Sequence, residues 1–274
     1  MISFAGDGWG AVAALKSLQV KFDVIEICSN DEDVLALIRF SDKKIKSLSL
    51  CESELVVCAG YKAFITKKEL SKKRFMNVHY SLLPKYRGMH SVVWAILNGE
   101  SCFGVTVYAM DEYMDNGDIL SQFKFDAQGV NSAMIMTKCN ELVECHLHDV
   151  ISKYLNGEII PYPQDKSCAS WVPKRNLQDC VIDFSENIQQ IERLFLALVP
   201  PYPLPMIKVK NELYEITSFD TRTTEYLTSI GRVVNIDEEG AWIKAADGLL
   251  LVKELSLNGQ PVDIAKILSI GKRL

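Results

Sequence analysis

The chain has no C-x-x-C pair, no surplus of positive charge and no apolar run of membrane-spanning length, and it contains four histidines. Each scarcity removes a class of function. A formal net charge of −5 leaves no bulk positive field to hold a polyanion. A bilayer-spanning helix needs about 20 consecutive apolar residues, and residues 1–12 lack the basic start and long apolar core of a signal peptide. Of the eight cysteines, Cys28, Cys51, Cys58, Cys102, Cys139, Cys145, Cys168 and Cys180, several lie inside apolar runs, and most read as buried free thiols of a reducing compartment. The expectation is a cytoplasmic protein with no membrane and no nucleic-acid partner. No cysteine or carboxylate pattern of ligand spacing surrounds His146 or His148, so no metal is expected.

What is present is a chain of 274 residues, 48% hydrophobic, long enough for a sizeable core and for two domains. Residues 1–5 form a short apolar strand that runs into Gly6-Asp7-Gly8-Trp9-Gly10 and then the helical pattern AVAALKSL. Strand, glycine turn and helix are how an open α/β sheet begins, with helix amides available to an anion, although the spacing is not G-x-G-x-x-G. FDVIEICS (22–29) and ELVVCAGY (54–61) read as further strands, the latter buried on both faces, and DEDVLALIRFSD (31–42) as a helix with an acidic start. DILSQFKFD (118–126) alternates like a half-exposed strand. Residues 131–155 carry an apolar stripe from Cys139 to Tyr154 and mark the longest helix. Strands alternating with helices predict a Rossmann-like, mostly parallel sheet flanked by helices. Residues 161–175 are linker-like; a helix over 185–198, capped by Ser185, and short strands with turns at Glu239-Gly240 and Asp247-Gly248 follow. The predicted organisation is an α/β catalytic domain over 1–180 and, over 181–274, a helix with a smaller antiparallel, OB-like β domain. Apolar edges in that β domain would suit a homodimer.

The chemistry concentrates in residues 76–120. Asn77 and His79 stand two apart at the end of a short strand, so both side chains point to one face. After an S-L-L-P loop, a helix and the strand FGVTVYAM, the acidic loop DEYMDNGD presents Asp115. Moving an acyl group to an amine creates an oxyanion and requires a proton to pass from the attacking to the leaving nitrogen. Asn77 would donate to the oxyanion and His79 would carry the proton, while Asp115 would orient or polarise His79 and hold a water. Singly, these are a turn asparagine, a structural histidine and a loop aspartate; their shared order and context argue for a site.

The segments NVHYSLLPKYRG, ILNGE and GVTVYAMDEYMDNGDIL resemble those of the formyltransferases that use 10-formyltetrahydrofolate, which include glycinamide ribonucleotide, methionyl-tRNA and nucleotide-sugar formyltransferases. The resemblance extends to the first strand and turn, to VPKRNLQDCVIDF with the helix and PYP after it, and to the tail GLLLVKELSLNGQ. It implies N10-formyltetrahydrofolate as co-substrate and Asn77, His79 and Asp115 as the catalytic trio. It also places the pterin against Tyr61, Ala63, Phe64, Met110, Asp111 and Tyr113. The β tail is similar to that of the tRNA enzyme, yet residues 201–274 hold 9 Lys or Arg against 10 Asp or Glu, little with which to neutralise phosphates. Glycinamide ribonucleotide enzymes lack such a tail. A nucleotide-linked amino-deoxy sugar remains as acceptor, dTDP before UDP, formylated for a surface polysaccharide such as an O-antigen. Lys85 and Arg87 would then meet the pyrophosphate, or form a solvated pair; Tyr80 and Trp9 would pack on sugar or base, or simply within the protein. Methionyl-tRNA as acceptor, and a folate-binding homologue that hydrolyses formylfolate or has no turnover, are the other readings.

Overall fold

Apolar and β-branched runs supply the strands of the first sheet. In the computed structural model, which describes all 274 residues, these are β1 (Ile2–Gly6), β2 (Val24–Cys28), β3 (Lys43–Lys44), β4 (Leu55–Ala59), β5 (Arg74–His79), β6 (Arg87–Gly88), β7 (Cys102–Ala109), β8 (Ile119–Asp126) and β9 (Trp171–Val172). Seven of them form one sheet in the order β3-β2-β1-β4-β5-β7-β8. Pairing is parallel from β3 to β5 and antiparallel from β5 through β7 to β8. Every residue of β1 and β4 is buried, as expected of strands covered on both faces. The two lie so close that a Cβ on Gly6 would come within 1.9 Å of the Ala59 carbonyl oxygen, which restricts the position to glycine. β6 and β9 form a separate parallel pair.

Helices α1 (Trp9–Lys21), α2 (Glu32–Leu35), α3 (Lys67–Leu70), α4 (Ser91–Leu97) and α5 (Ser132–Leu155) connect the strands. The long α5 buries Cys139, Val143, Leu147, Val150 and Ile151 of the predicted stripe and Ile135 before it, while Leu142 and Tyr154 are half-buried and His146 is exposed. His146 stacks on Phe123, and His148 bonds the Ser17 hydroxyl. The helix expected over 31–42 stops after one turn: Asp31 caps it through the amides of Asp33 and Val34, but Val34 alone is buried and Phe40 is fully exposed. Past Val34 the apolar residues Leu35, Leu37 and Ile38 are only half-buried, which gives a longer helix little packing to hold it. Asp31 also accepts a hydrogen bond from the Gly8 amide at the start of α1 (2.9 Å). That contact holds the Asp31 carboxyl below its ordinary pKa and fills the position where an anion would have met the helix.

The chain divides into two compact units, Met1–Ala95 with Glu100–Gln128 and Met134–Lys174, and Ile96–Gly99 with Gly129–Ala133 and Arg175–Leu274. The second contains α6 (Ile188–Ala197), α7 (Ile264–Ile267) and the strands β10 (Met206–Val209), β11 (Glu212–Thr223), β12 (Val233–Asp237), β13 (Gly240–Lys244), β14 (Gly248–Leu257) and β15 (Gln260–Val262). These strands form one antiparallel sheet, β10-β11-β14-β13-β12 with β15 against β14. Ile188, Ile191 and Phe195 of α6 join Ile207, Ile216 and Val252 in its core. The cap of α6 is Asn187, in a reciprocal box with Gln190, and not Ser185, whose hydroxyl instead bonds Asp183. The β12–β13 turn consists of Glu238-Glu239, one residue before the expected position. No helix is long and apolar enough to cross a membrane.

Candidate active site

β5 carries Asn77 and His79 on one face, and β7 runs antiparallel beside it with Tyr108 opposite Asn77 and Thr106 opposite His79. Directly paired residues share a face, so four polar side chains line this part of the sheet. Asn77 Nδ2 donates to the Tyr108 hydroxyl at 3.0 Å, and that hydroxyl donates to Asp115 Oδ1 at 2.7 Å. The second carboxylate oxygen, Oδ2, accepts the Gly88 amide at 2.7 Å and lies 3.8 Å from His79 Nδ1. His79 and Asp115 are each 8% exposed. The predicted trio therefore meets, through a tyrosine and a backbone amide that the sequence did not single out.

Of the two roles expected of Asp115, orienting His79 and polarising it, the first falls to another residue. Its direct hydrogen-bond partner is the Tyr86 carbonyl oxygen, 2.8 Å from Nε2, while Asp115 stands beyond hydrogen-bond length from Nδ1. A carbonyl has no proton to give, so Nε2 must carry the hydrogen and the neutral ring presents its lone pair at Nδ1, toward Asp115. Asp115 thus acts on the ring through charge, and Tyr86 sets its direction. Both Tyr86 (φ 58°) and Asp115 (φ 50°) sit in the left-handed region, a conformation worth about 1–3 kcal/mol of strain that surrounding contacts must hold.

Those contacts come from the segment read as a linker. The Tyr86 amide donates to the Ser170 hydroxyl, and Gly88 passes so close to Val172 that a Cβ would lie 2.2 Å from its carbonyl oxygen. Gln164 donates to the carbonyls of Asp115 (3.0 Å) and Gly117 (2.8 Å), and its own oxygen accepts both Nε and Nη2 of Arg87. Arg87 is 2% exposed, with its guanidinium 5.2 Å from the Trp171 ring centre. This corrects its assignment to a pyrophosphate: its charge is spent inside the protein, holding the Asp115 loop.

The other substrate candidates are placed apart. Lys85 pairs with Glu100 at 3.0 Å, and Glu100 also accepts the Tyr86 hydroxyl. Tyr80 donates to Asn140 (2.6 Å), and its ring would meet any Cβ on Gly10, so it packs against α1 with no free hydroxyl for a sugar. Tyr80 and Lys85 line a pocket of about 310 Å³ with Leu82, Pro84, Val92 and Phe103. Trp9 is exposed at the start of α1.

Of the residues assigned to the pterin, Tyr61 and Met110 pack together against a buried cluster that includes Cys28 and Cys58. Burial, with the neighbouring Cys28 and Cys58, pushes the Tyr61 phenol up to about 12. Ala63, Phe64 and Tyr113 are exposed. Asp111 closes its own loop by accepting from the Tyr113 amide and Asn116 Nδ2, and an ion pair between Lys67 and Glu112 ties this loop to α3. The two loops assigned to the pterin are therefore neighbours.

Tyr108 had a signal in the sequence. Thr106 and Tyr108 alternate with Val105 and Val107, a period of two that gives β7 a polar face. Gln164 and Tyr86 had none: Gln164 acts on carbonyls nearly fifty residues away, and Tyr86 acts through its own backbone carbonyl, which no side-chain pattern reveals.

Residues 13–143 match the family model described as formyl transferase, and residues 175–270 that of the formyl transferase C-terminal domain. The methionyl-tRNA formyltransferase of Campylobacter lari is 33% identical over 233 residues, 84% of this chain and 74% of that protein. Among solved structures, HypX from Aquifex aeolicus superposes with a TM-score of 0.67 at 20% identity, over 97% of this chain and 46% of HypX. An N-formyltransferase from Helicobacter canadensis, in complex with folinic acid and dTDP-3-aminofucose, has a TM-score of 0.66 at 19% identity, over 92% of this chain and 98% of the other. At such identities the structures establish the shared fold. With both units matched by family models and a relative one-third identical along most of its length, this chain belongs to the formyltransferase family.

Proposed function

We propose that the chain transfers the formyl group of N10-formyltetrahydrofolate to the amine of a nucleotide-linked amino-deoxy sugar in the cytoplasm, with dTDP the favoured nucleotide. The observation that carries formyl transfer is the convergence of Asn77, His79 and Asp115, with Asn77 joined to Asp115 through the Tyr108 hydroxyl and Asp115 3.8 Å from His79. The bound folate supplies an activated one-carbon acyl group. Asn77 has a second N–H free of Tyr108 with which to stabilise an oxyanion. His79, with Nε2 committed to Tyr86, takes the amine proton at Nδ1 as the amine attacks the formyl carbon and gives it to the leaving folate nitrogen as that carbon–nitrogen bond breaks, and Asp115 stabilises the imidazolium in between across 3.8 Å. Phe64 and Tyr113, exposed on adjoining loops, offer apolar faces to the pterin, and Tyr61, Ala63, Met110 and Asp111 belong to the same two loops.

The charge balance of residues 201–274, 9 against 10, supports a small acceptor. So does the Helicobacter canadensis neighbour, matched along 98% of its length and solved with a dTDP-sugar. The Campylobacter lari relative favours a second reading, methionyl-tRNA. The test adds dTDP- and UDP-linked 3-amino and 4-amino sugars, and separately charged initiator tRNA, to protein with N10-formyltetrahydrofolate, and follows tetrahydrofolate by absorbance. Turnover that depends on an amino sugar is expected. Turnover with charged tRNA alone overturns the sugar reading, and release without any amine replaces transfer by hydrolysis.

A further inference from the structure

The Tyr108 hydroxyl is the joint between two of the proposed catalytic groups. It is 1% exposed and hydrogen-bonded on both sides, by Asn77 at 3.0 Å and to Asp115 at 2.7 Å. A phenol has one proton, and an ionised carboxylate can only accept, so that proton belongs to Asp115 Oδ1. The oxygen is then left as an acceptor, and the Asn77 side chain must turn its NH2 end toward it. An amide rotated by half a turn would put its own oxygen 3.0 Å from the phenol oxygen with no proton between them.

We infer that Tyr108 is a positioning residue: through one hydroxyl it selects the orientation of the Asn77 amide and holds the Asp115 carboxylate beside His79. The consequence for chemistry is directional. With the NH2 end anchored, the remaining Asn77 N–H is available to a developing oxyanion; with the amide reversed, an oxygen would stand there and repel it. Burial, and after it the Asp115 charge, raise the Tyr108 phenol well above the ordinary tyrosine value, so it stays protonated and the arrangement persists across working pH. The ring packs with Leu83 and Ile119, contacts that phenylalanine would preserve.

This inference rests on the formyl-transfer reading, and one set of variants separates the two. Tyr108→Phe is expected to lower kcat about 10–100-fold, part of the loss known for removal of a whole oxyanion donor, with both KM values unchanged within about twofold. In an Asn77→Ala background the same change is expected to cost clearly less than in the wild type, because the part that passes through Asn77 is already lost and only the hold on Asp115 remains. An unchanged kcat in Tyr108→Phe, or equal losses in the two backgrounds, overturns the inference while leaving wild-type turnover intact. Absence of wild-type turnover with every acceptor refutes the functional reading instead. Hydrogen exchange of the Asn77 side-chain amide in the wild-type protein requires neither turnover nor a stable variant: one strongly protected and one readily exchanging proton are expected. Equal exchange of both overturns the assigned anchor.

Discussion

At the scale of single residues, the roles divide into those that touch the chemistry and those that hold the groups that do. Asn77→Ala removes an oxyanion donor and is expected to lower kcat by about 10²–10³. His79→Ala removes the base and is expected to lower kcat by about 10²–10⁴. Steady-state kinetics on folded variants checks both, and full activity in either would sink the mechanism. Arg87→Ala has another signature: it strands the Gln164 oxygen in a buried site and empties the space beside Trp171. A loss of about 2–4 kcal/mol in urea unfolding is expected, with reduced activity because Gln164 no longer secures the Asp115 backbone. Asn77 and His79 were legible in sequence because two residues on one strand share a face whatever the fold. Arg87 was misread because a lysine-tyrosine-arginine loop looks solvated until Gln164 arrives from far along the chain.

At the scale of elements, the apolar strands and the long helix were readable, since continuous runs and a stripe of period 3.6 fix a strand or helix without knowledge of its neighbours. The 31–42 helix failed for the converse reason: its acidic start is a true cap, but propagation depends on a docking face that sequence cannot display. Caps are local, and the capping box of α6 is testable directly. Asn187→Ala is expected to cost about 1 kcal/mol, seen as a lower thermal midpoint. The β1–β2 pair contains a buried carboxylate with a pH signature. Burial alone would raise the pKa of Glu26, but hydrogen bonds from Ser3, the Glu52 and Ser53 amides and Cys51 outweigh it and lower it. A depressed carboxyl pKa means stability present above the ordinary value of about 4.3 and lost as pH falls through the folded value. The wild-type protein is therefore expected to lose stability on acidification below that value, and Glu26→Gln to flatten this part of the curve while lowering stability at neutral pH. An identical pH profile in the variant would show that Glu26 contributes nothing.

At the scale of the whole molecule, the acceptor is a question of charge, and the reaction is a question of a few distances. The parallel-sheet unit contains every group assigned to formyl transfer, and its geometry is indifferent to what carries the amine. Discrimination must then come from surface that recognises the acceptor's body, where composition is informative: residues 201–274 carry no excess of positive charge. A transfer RNA is held through many phosphates, each displacing counterions, so its affinity falls steeply as salt rises; a nucleoside diphosphate presents two phosphates and loses little. The dependence of acceptor kcat/KM on ionic strength therefore reads the class of acceptor without its chemical identity. Between about 50 and about 200 mM salt, a fall of less than about tenfold is expected for the productive acceptor. A fall of about 10³ or more would mean that many phosphates are bound, and would move the assignment to RNA even if an amino sugar gave slow turnover. The same titration with the folate donor varied in place of the acceptor is the internal control, because screening that acts on the donor alone leaves the acceptor's dependence flat.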